Sequence, residues 1–157
     1  TMSHPPITSI EDLQSSYHSL IPISAHMGMS VEAYDGRSLS VSAPLENNIN
    51  HQLSAFGGSL FSLAALAGWG ILQLKLAELG VQGNTVIAGG DVSYQQPVFE
   101  TLRCRCTLPP EYDAFASHLV QNGKASLVLQ SQFHLASSPE TAAMTFNGKY
   151  AVRLDRD

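Results

Sequence analysis

The sequence predicts an α+β domain in which a mostly antiparallel sheet packs against one long helix. Segments that alternate apolar and polar residues, as strands do, occur on both sides of one long apolar segment. That segment, from Phe56 to about Leu79, repeats its apolar residues at helical spacing and is apolar nearly all round, as a buried helix is. The chain has 157 residues, which suits one domain, and we place that domain at residues 2–157.

Charged residues are scarce, at 13% of the chain, whereas 44% of the residues are hydrophobic. Such a chain can bury a sizeable core and can hide further surface in an oligomer. The net charge is -5 and the sequence contains no basic run. This composition argues against nucleic acid and anionic membranes as partners.

Cysteine usage indicates a reducing compartment. Cys104 and Cys106 lie two residues apart, so on a strand both point to the same face. They are too few for a disulfide framework and lack zinc-binding partners at matching spacing, so we expect reduced core thiols in a cytoplasmic protein. The N-terminus has no signal-peptide pattern, and we expect Met2, after Thr1, to be the native start.

The segment Phe56–Leu74 carries no charge over 19 residues, a length that could just span a bilayer. However, it contains several glycines and serines as well as Gln73, and it lies between amphipathic strands. We therefore expect a helix buried by a sheet, and no membrane partner.

The N-terminal part predicts a helix followed by a hairpin. Thr8 and Glu11 have the spacing of a capping box, and Ser9 with Asp12 offers a second register. The helix should run from about Ile10 to Ser19. Strands are then predicted over 27–33 and 39–43, with a turn at 34–37 that contains Asp35-Gly36.

Beyond the long helix, which should end at Gly80, the sequence predicts more sheet. The alternation is clearest over 102–108, and Pro109-Pro110 ends that strand. The further predicted elements are a strand over 85–94, a short helix over 111–121, a strand over 125–135, a loop over 137–141 and a last strand over 144–154.

The residues that lead into the long helix form a motif. Asn50 and, six residues later, Phe56-Gly57-Gly58 resemble the Asn-x5-His-Gly-Gly signature of PaaI-like acyl-CoA thioesterases. Asn48-x-Asn50, Phe56-Gly-Gly-Ser-Leu60 and Ala67-Gly-Trp-Gly70 together are similar to the thioesterase family typified by the C-terminal domain of YiiD. This resemblance covers about residues 13–154. It implies the hotdog fold, in which a curved antiparallel sheet wraps a central helix, and activity on acyl thioesters.

Thioester hydrolysis develops negative charge on the carbonyl oxygen and requires an activated water. The N-terminus of a helix offers unpaired N–H groups and a partial positive charge, and glycines let a ligand approach the backbone closely. We therefore expect the Gly57 or Gly58 amide to polarise the carbonyl. The alternative is that these glycines only allow close packing of the helix on the sheet.

Polar residues around this helix start are further candidates. The amides of Asn48 and Asn50 could orient a water or a substrate carbonyl, or could simply stabilise turns. His51 could act as a base near neutral pH, while Ser54 and Ser59 could be an N-cap and a first-turn hydroxyl. Covalent catalysis by Ser59 is disfavoured because no base accompanies it. The residues expected to contact substrate are Phe56, Gly58, Ser59 and His51.

At the positions that would supply the water-activating base, the sequence departs from the PaaI-like pattern. PaaI-like enzymes carry a histidine before the glycine pair and a carboxylate further along the helix, and Phe56 and Ala65 stand at those positions here. Asp91 is the preferred candidate, because it lies within a small-residue strand where a carboxylate is costly unless paired or used. Its alternative is a solvent-facing aspartate, and Glu46 is the weaker candidate. The expected catalytic residues are Asp91, Asn50, Gly57 and Asn48.

The resemblance also implies partners. Hotdog domains form active sites across a homodimer, or a dimer of such dimers, and a coenzyme A or acyl-carrier-protein arm threads between subunits. Basic side chains should line the entrance, and Arg103, Arg105 and Lys124 are available. No metal and no cofactor beyond the coenzyme A moiety of the substrate is expected.

Two functions from different classes remain open. The first is an acyl-CoA or acyl-carrier-protein thioesterase. The second is a non-hydrolytic acyl-binding module, which the missing histidine at Phe56 and the missing carboxylate at Ala65 would explain. A hydratase is disfavoured, because those hotdog enzymes need a histidine and a carboxylate in the site.

Overall fold

The computed structural model of the protein describes residues 4–155. The expected native start at Met2 and both ends of the domain predicted over residues 2–157 lie outside the described residues. Within them, the chain forms a six-stranded sheet with strand order β1-β2-β4-β5-β6-β3, and every neighbouring pair is antiparallel. The strands are β1 (Ser30–Tyr34), β2 (Ser38–Ala43), β3 (Gly83–Tyr94), β4 (Leu102–Thr107), β5 (Lys124–Leu135) and β6 (Ser138–Leu154).

The long helix α3 (Gly57–Leu79) lies along the inner face of this sheet. The other α-helices are α1 (Ile10–Leu20), α2 (Pro22–His26) and α4 (Tyr112–Asn122). Helix α3 is capped by Gly80, whose φ of 71° is the left-handed conformation that glycine accepts most readily. Its length and apolar composition would suit a membrane span, yet 67% of that apolar window is buried inside the molecule. The predicted α+β class and the buried central helix are thus confirmed.

Small residues on α3 allow close packing in the middle of the helix. The Tyr150 hydroxyl, from β6, donates to the main-chain oxygen of Ala65 at 2.8 Å. A Cβ at Gly68 would overlap the Tyr150 ring, so the glycine is required for this approach. Within the Ala67-Gly-Trp-Gly70 block, Gly68 therefore serves packing of the helix on the sheet.

Of the two capping registers predicted for α1, the structure has the second, because the Ser9 hydroxyl accepts from the Asp12 amide at 3.1 Å. Two local predictions need correction. A short helix, α2, follows α1 directly, because Pro22 suits the first helical position. The predicted loop at 137–141 is wrong, because β6 begins at Ser138, which pairs with Leu135 across a tight turn.

The cysteines are free and buried on the inner face, as predicted. Burial raises the pKa of the Cys106 thiol to about 11 and raises the pKa of the Cys104 thiol well above its ordinary value. Both thiols are therefore protonated at neutral pH, which makes them poor nucleophiles and poor metal ligands.

Candidate functional site

The segment that precedes α3 is held in place by Asn48. Its side chain is 3% exposed, and its Nδ2 donates to the main-chain oxygens of Met27 at 3.0 Å and Pro44 at 2.8 Å. Its own main-chain oxygen accepts from the Phe56 amide at 2.7 Å. The Oδ1 atom is buried and has no hydrogen-bond partner among residues 4–155. Asn48 thus fixes where the helix begins.

Asn50 organises the loop between Asn48 and the helix. Its Oδ1 accepts from the amides of Gln52 at 2.9 Å and Ser54 at 3.2 Å, and its Nδ2 donates to the Ser54 hydroxyl at 3.0 Å. Leu53, at the tip, takes a positive φ of 67°. The Asn50 amide is therefore largely occupied within its own loop, which is the turn-forming alternative considered for this residue.

The first turn of α3 presents free donors. Phe56 precedes the helix and provides no side-chain cap, while its main-chain oxygen accepts from the amides of Ser59 at 2.9 Å and Leu60 at 3.1 Å. The Gly57 and Gly58 amides have no acceptor among residues 4–155. Two unpaired N–H groups at the positive end of a 23-residue helix form a site suited to a developing negative charge.

Two aromatic rings flank these amides. The Tyr94 hydroxyl donates to the main-chain oxygen of Gly57 at 2.9 Å, and its ring would lie 3.4 Å from a Cβ at Gly57. On the other side, a Cβ at Gly58 would lie 2.5 Å from the Phe56 ring. The glycine pair therefore makes room for both rings, which combines the packing and binding roles that the sequence left open.

Apolar side chains around the helix start are unusually exposed. We call the group formed by the six residues Ile49, Leu53, Phe56, Phe61, Tyr94 and Phe99 the apolar rim; their exposed fractions run from 37% to 66%. Exposed apolar clusters of this kind mark binding or assembly surfaces. The free amides thus lie within an apolar surround. This arrangement suits an acyl group, which has a polar carbonyl and an apolar chain.

The structure does not bring the predicted base to this site within one chain. Asp91 lies on the outer face of β3, where its Oδ1 accepts from Asn147 Nδ2 at 3.2 Å. Within one chain Asp91 therefore corresponds to the solvent-facing alternative, because every residue from Val86 to Tyr94 is exposed at this edge of the sheet. Glu46 and His51 are exposed in the preceding loop, and neither bonds to the first turn of α3.

The site can therefore bind and polarise a carbonyl, while the described chain alone supplies no water-activating group beside it. No group of three or more His, Cys, Asp or Glu side chains within residues 4–155 could hold a metal ion. Tyr94 is the site residue that sequence reasoning missed. The sequence did contain a signal for Tyr94. Alternation along the predicted strand places Tyr94 at the strand end, on the same face as Val92.

A family model described as "Putative thioesterase (yiiD_Cterm)" matches residues 10–154 of the chain. A solved protein of unknown function from Chlorobaculum tepidum shares 34% identity and a TM-score of 0.86, covering 96% of this chain and 99% of its own. A structure from Shewanella oneidensis, described as a putative thioesterase, shares 30% identity and a TM-score of 0.83, covering 93% of this chain and 97% of its own.

The fold extends to more distant structures. The E. coli PaaI protein from the phenylacetic acid degradation operon shares 15% identity and a TM-score of 0.60, covering 89% of this chain and 95% of its own. At this identity the likeness shows the fold alone. The sheet that wraps a central helix is thus the hotdog fold that the resemblance implied.

Proposed function

This chain belongs to the YiiD C-terminal thioesterase family, and from that premise we propose that it hydrolyses acyl thioesters of coenzyme A or of an acyl carrier protein. The observation that carries the proposal is the pair of free amides at Gly57 and Gly58, set in the apolar rim. Such donors stabilise the oxyanion that forms when water attacks the carbonyl carbon. The carbon–sulfur bond then breaks, and the products are a free acid and the carrier thiol.

The proposal is tested by incubating the purified full chain with acyl-CoA and acyl-carrier-protein thioesters of several acyl lengths and measuring thiol release. We expect turnover above the uncatalysed rate for at least one chain length. Thioester binding without release would instead support the second candidate function, a non-hydrolytic acyl-binding module. That alternative is favoured by one observation, the lack of a base beside the first turn of α3 within residues 4–155.

We propose further that two copies of the chain assemble through β3, as a homodimer or as a dimer of such dimers. β3 is an edge strand, so one of its sides offers unpaired main-chain N–H and C=O groups. Apolar side chains on its inner face are also exposed, namely Ile87 at 43% and Val92 at 37%. Proteins usually protect such an edge, and a second copy would cover both the main chain and the apolar surface.

Replacing Ile87 and Val92 together with lysine is expected to yield monomers, because two charges would have to be buried at the edge. Sedimentation velocity on the purified variant measures this directly. Val128→Lys is the matched control, because Val128 is 53% exposed on the outer face of β5, away from this edge. A double variant that sediments like the wild type would rule out assembly through β3.

In this proposal the second protomer supplies the base, for which Asp91 is the candidate. Asp91→Asn is expected to lower kcat by about 10²–10⁴-fold, the usual contribution of a general base. Its fold should be retained, because the side chain is exposed and makes one bond, to Asn147. Asn147→Ala, which removes that bond but keeps the carboxylate, is the control in the same thiol-release assay. An Asp91→Asn enzyme with near-normal kcat would assign water activation to another group.

A further inference from the structure

A second candidate site lies far from the first turn of α3. A groove of about 790 Å³ runs between α4 and the outer face of the sheet, at the end where β3 and β5 begin and β6 ends. Its polar side chains include Lys124, Arg153, Asn84 and His118, and its apolar wall includes Val86 and Phe115. The size falls within the range of small-molecule sites.

Within residues 4–155, no salt bridge neutralises the two cations of this groove. Lys124 on β5 lies directly opposite Arg153 on β6, and Arg153 in turn pairs in register with Asn84 on β3. Like charges at directly opposite positions of a sheet destabilise it. Neither side chain forms an ion pair within residues 4–155, and the nearby Asp155 bridges to neither. Two adjacent cations in a chain of net charge -5 therefore form a local site for an anion.

We propose that this groove binds the nucleotide end of coenzyme A, the phosphorylated adenosine of an acyl-CoA substrate. Lys124 and Arg153 would pair with its phosphates, since ammonium and guanidinium groups are the usual phosphate ligands. Asn84 and His118 supply hydrogen-bonding groups for the sugar and base, and Val86 offers an exposed apolar surface to the flat base. This inference rests on the proposed function and selects coenzyme A over a carrier protein as the acyl carrier.

In the proposed β3 dimer, the groove would serve the other subunit. Asn84 and Tyr94 lie at opposite ends of β3, and ten residues of strand span about 33 Å. The groove of one chain is therefore distant from its own Gly57, which Tyr94 contacts. Antiparallel pairing of two β3 edges reverses the strand direction, so the groove of one protomer comes to the same end of the paired sheet as the helix start of the other.

Calorimetric titration with adenosine 3′,5′-bisphosphate, which carries two of the three phosphates of coenzyme A but no thioester, tests the groove without hydrolysis. We expect one site per chain, with an affinity that falls as salt rises. Lys124→Ala and Arg153→Ala should each weaken binding about tenfold, the loss typical of one charge-assisted hydrogen bond. Lys149→Ala is the control, because Lys149 lies on the same face of β6 as Arg153 but does not line the groove.

Kinetics then connect the groove with the thioester. Both groove variants should raise KM for an acyl-CoA, but not for the matching acyl-N-acetylcysteamine, which has the same thioester and no phosphate. Bisphosphate binding that is absent, or equal in all variants, would overturn the groove assignment even if hydrolysis is observed. Bisphosphate binding that requires both cations, together with no turnover of either thioester, would uphold the groove and overturn the hydrolase proposal instead. If the two groove variants raise KM only for acyl-carrier-protein substrates, the groove binds an acidic protein surface and the inference is refuted.

Discussion

Gly57→Pro is expected to lower kcat by about 10²–10³-fold, the loss seen when one oxyanion donor is removed. Proline has no N–H, so the substitution removes one of the two free donors at the start of α3. If the Gly57 amide stabilises the oxyanion only in the transition state, KM should change little while kcat falls. The measurement is steady-state thiol release, with the best acyl thioester that the substrate panel identifies.

The fold should tolerate this proline, because the local backbone already suits it. Gly57 is the first helical residue, a position that proline favours. The preceding residue, Phe56, has φ -63° and ψ 130°, the extended conformation that a residue before proline adopts. Thermal unfolding should therefore resemble that of the wild type, which separates loss of the donor from loss of the structure.

Gly57→Ala is the matched control for the proline variant. It keeps the amide, and its Cβ would lie 3.4 Å from the Tyr94 ring, which small shifts of this exposed side chain can accommodate. We expect its kcat to stay close to that of the wild type. Normal kcat in Gly57→Pro would exclude the Gly57 amide, and Gly58→Pro would then be the variant that tests the second free donor.

The sequence predicted the role of the main-chain amides in the site better than the roles of the side chains. Gly57 and Gly58 at the start of an uncharged helical segment could be recognised because helix ends leave amides unpaired in any tertiary context. The role of Asn50 could not be separated from turn formation by sequence alone. The Asn50 Oδ1 atom accepts hydrogen bonds from amides within its own loop. Whether it does so depends on the path of the chain between Asn48 and Phe56.

The base assignment shows what periodicity cannot provide. The strand predicted around Asp91 is present, but a strand pattern in the sequence does not say which strand lies at the edge of a sheet. Within residues 4–155, β3 pairs with β6 alone, so residues 86–94 are exposed and a carboxylate there has little desolvation cost in one chain. The groove could not be predicted from the sequence either, because it is formed by residues of β3, β5 and β6 that are distant in sequence.

Helical spacing was a more reliable guide, because α3 is buried on several sides and its apolar pattern needs no knowledge of its neighbours. What the pattern did not reveal is why glycine recurs in the middle of the helix. Isolated glycines in a helix interior cost about 1 kcal/mol relative to alanine. The structure supplies the compensating contact at each position, since Tyr150 approaches Gly68 and Tyr17 approaches Gly70.

Gly70→Ala is therefore expected to destabilise the protein by about 2 kcal/mol, although alanine is the better helix former. A Cβ at this position would overlap the Tyr17 hydroxyl and lie 2.8 Å from its Cζ atom. Tyr17 cannot easily move, because it is 0% exposed and its hydroxyl donates to the main-chain oxygen of Leu66. Overpacking of the core and loss of this buried hydrogen bond together outweigh the gain in helix propensity.

The double variant Gly70→Ala with Tyr17→Phe distinguishes this clash from a general intolerance of α3. Phenylalanine lacks the hydroxyl that the new Cβ would overlap, so the two substitutions should be less destabilising together than the sum of the single changes. We expect a favourable coupling of about 1 kcal/mol, as for residues in direct contact. Urea unfolding of all four proteins at one protein concentration measures it, because association would shift apparent stability. Strictly additive effects would mean that Gly70 is required for some reason other than the Tyr17 hydroxyl.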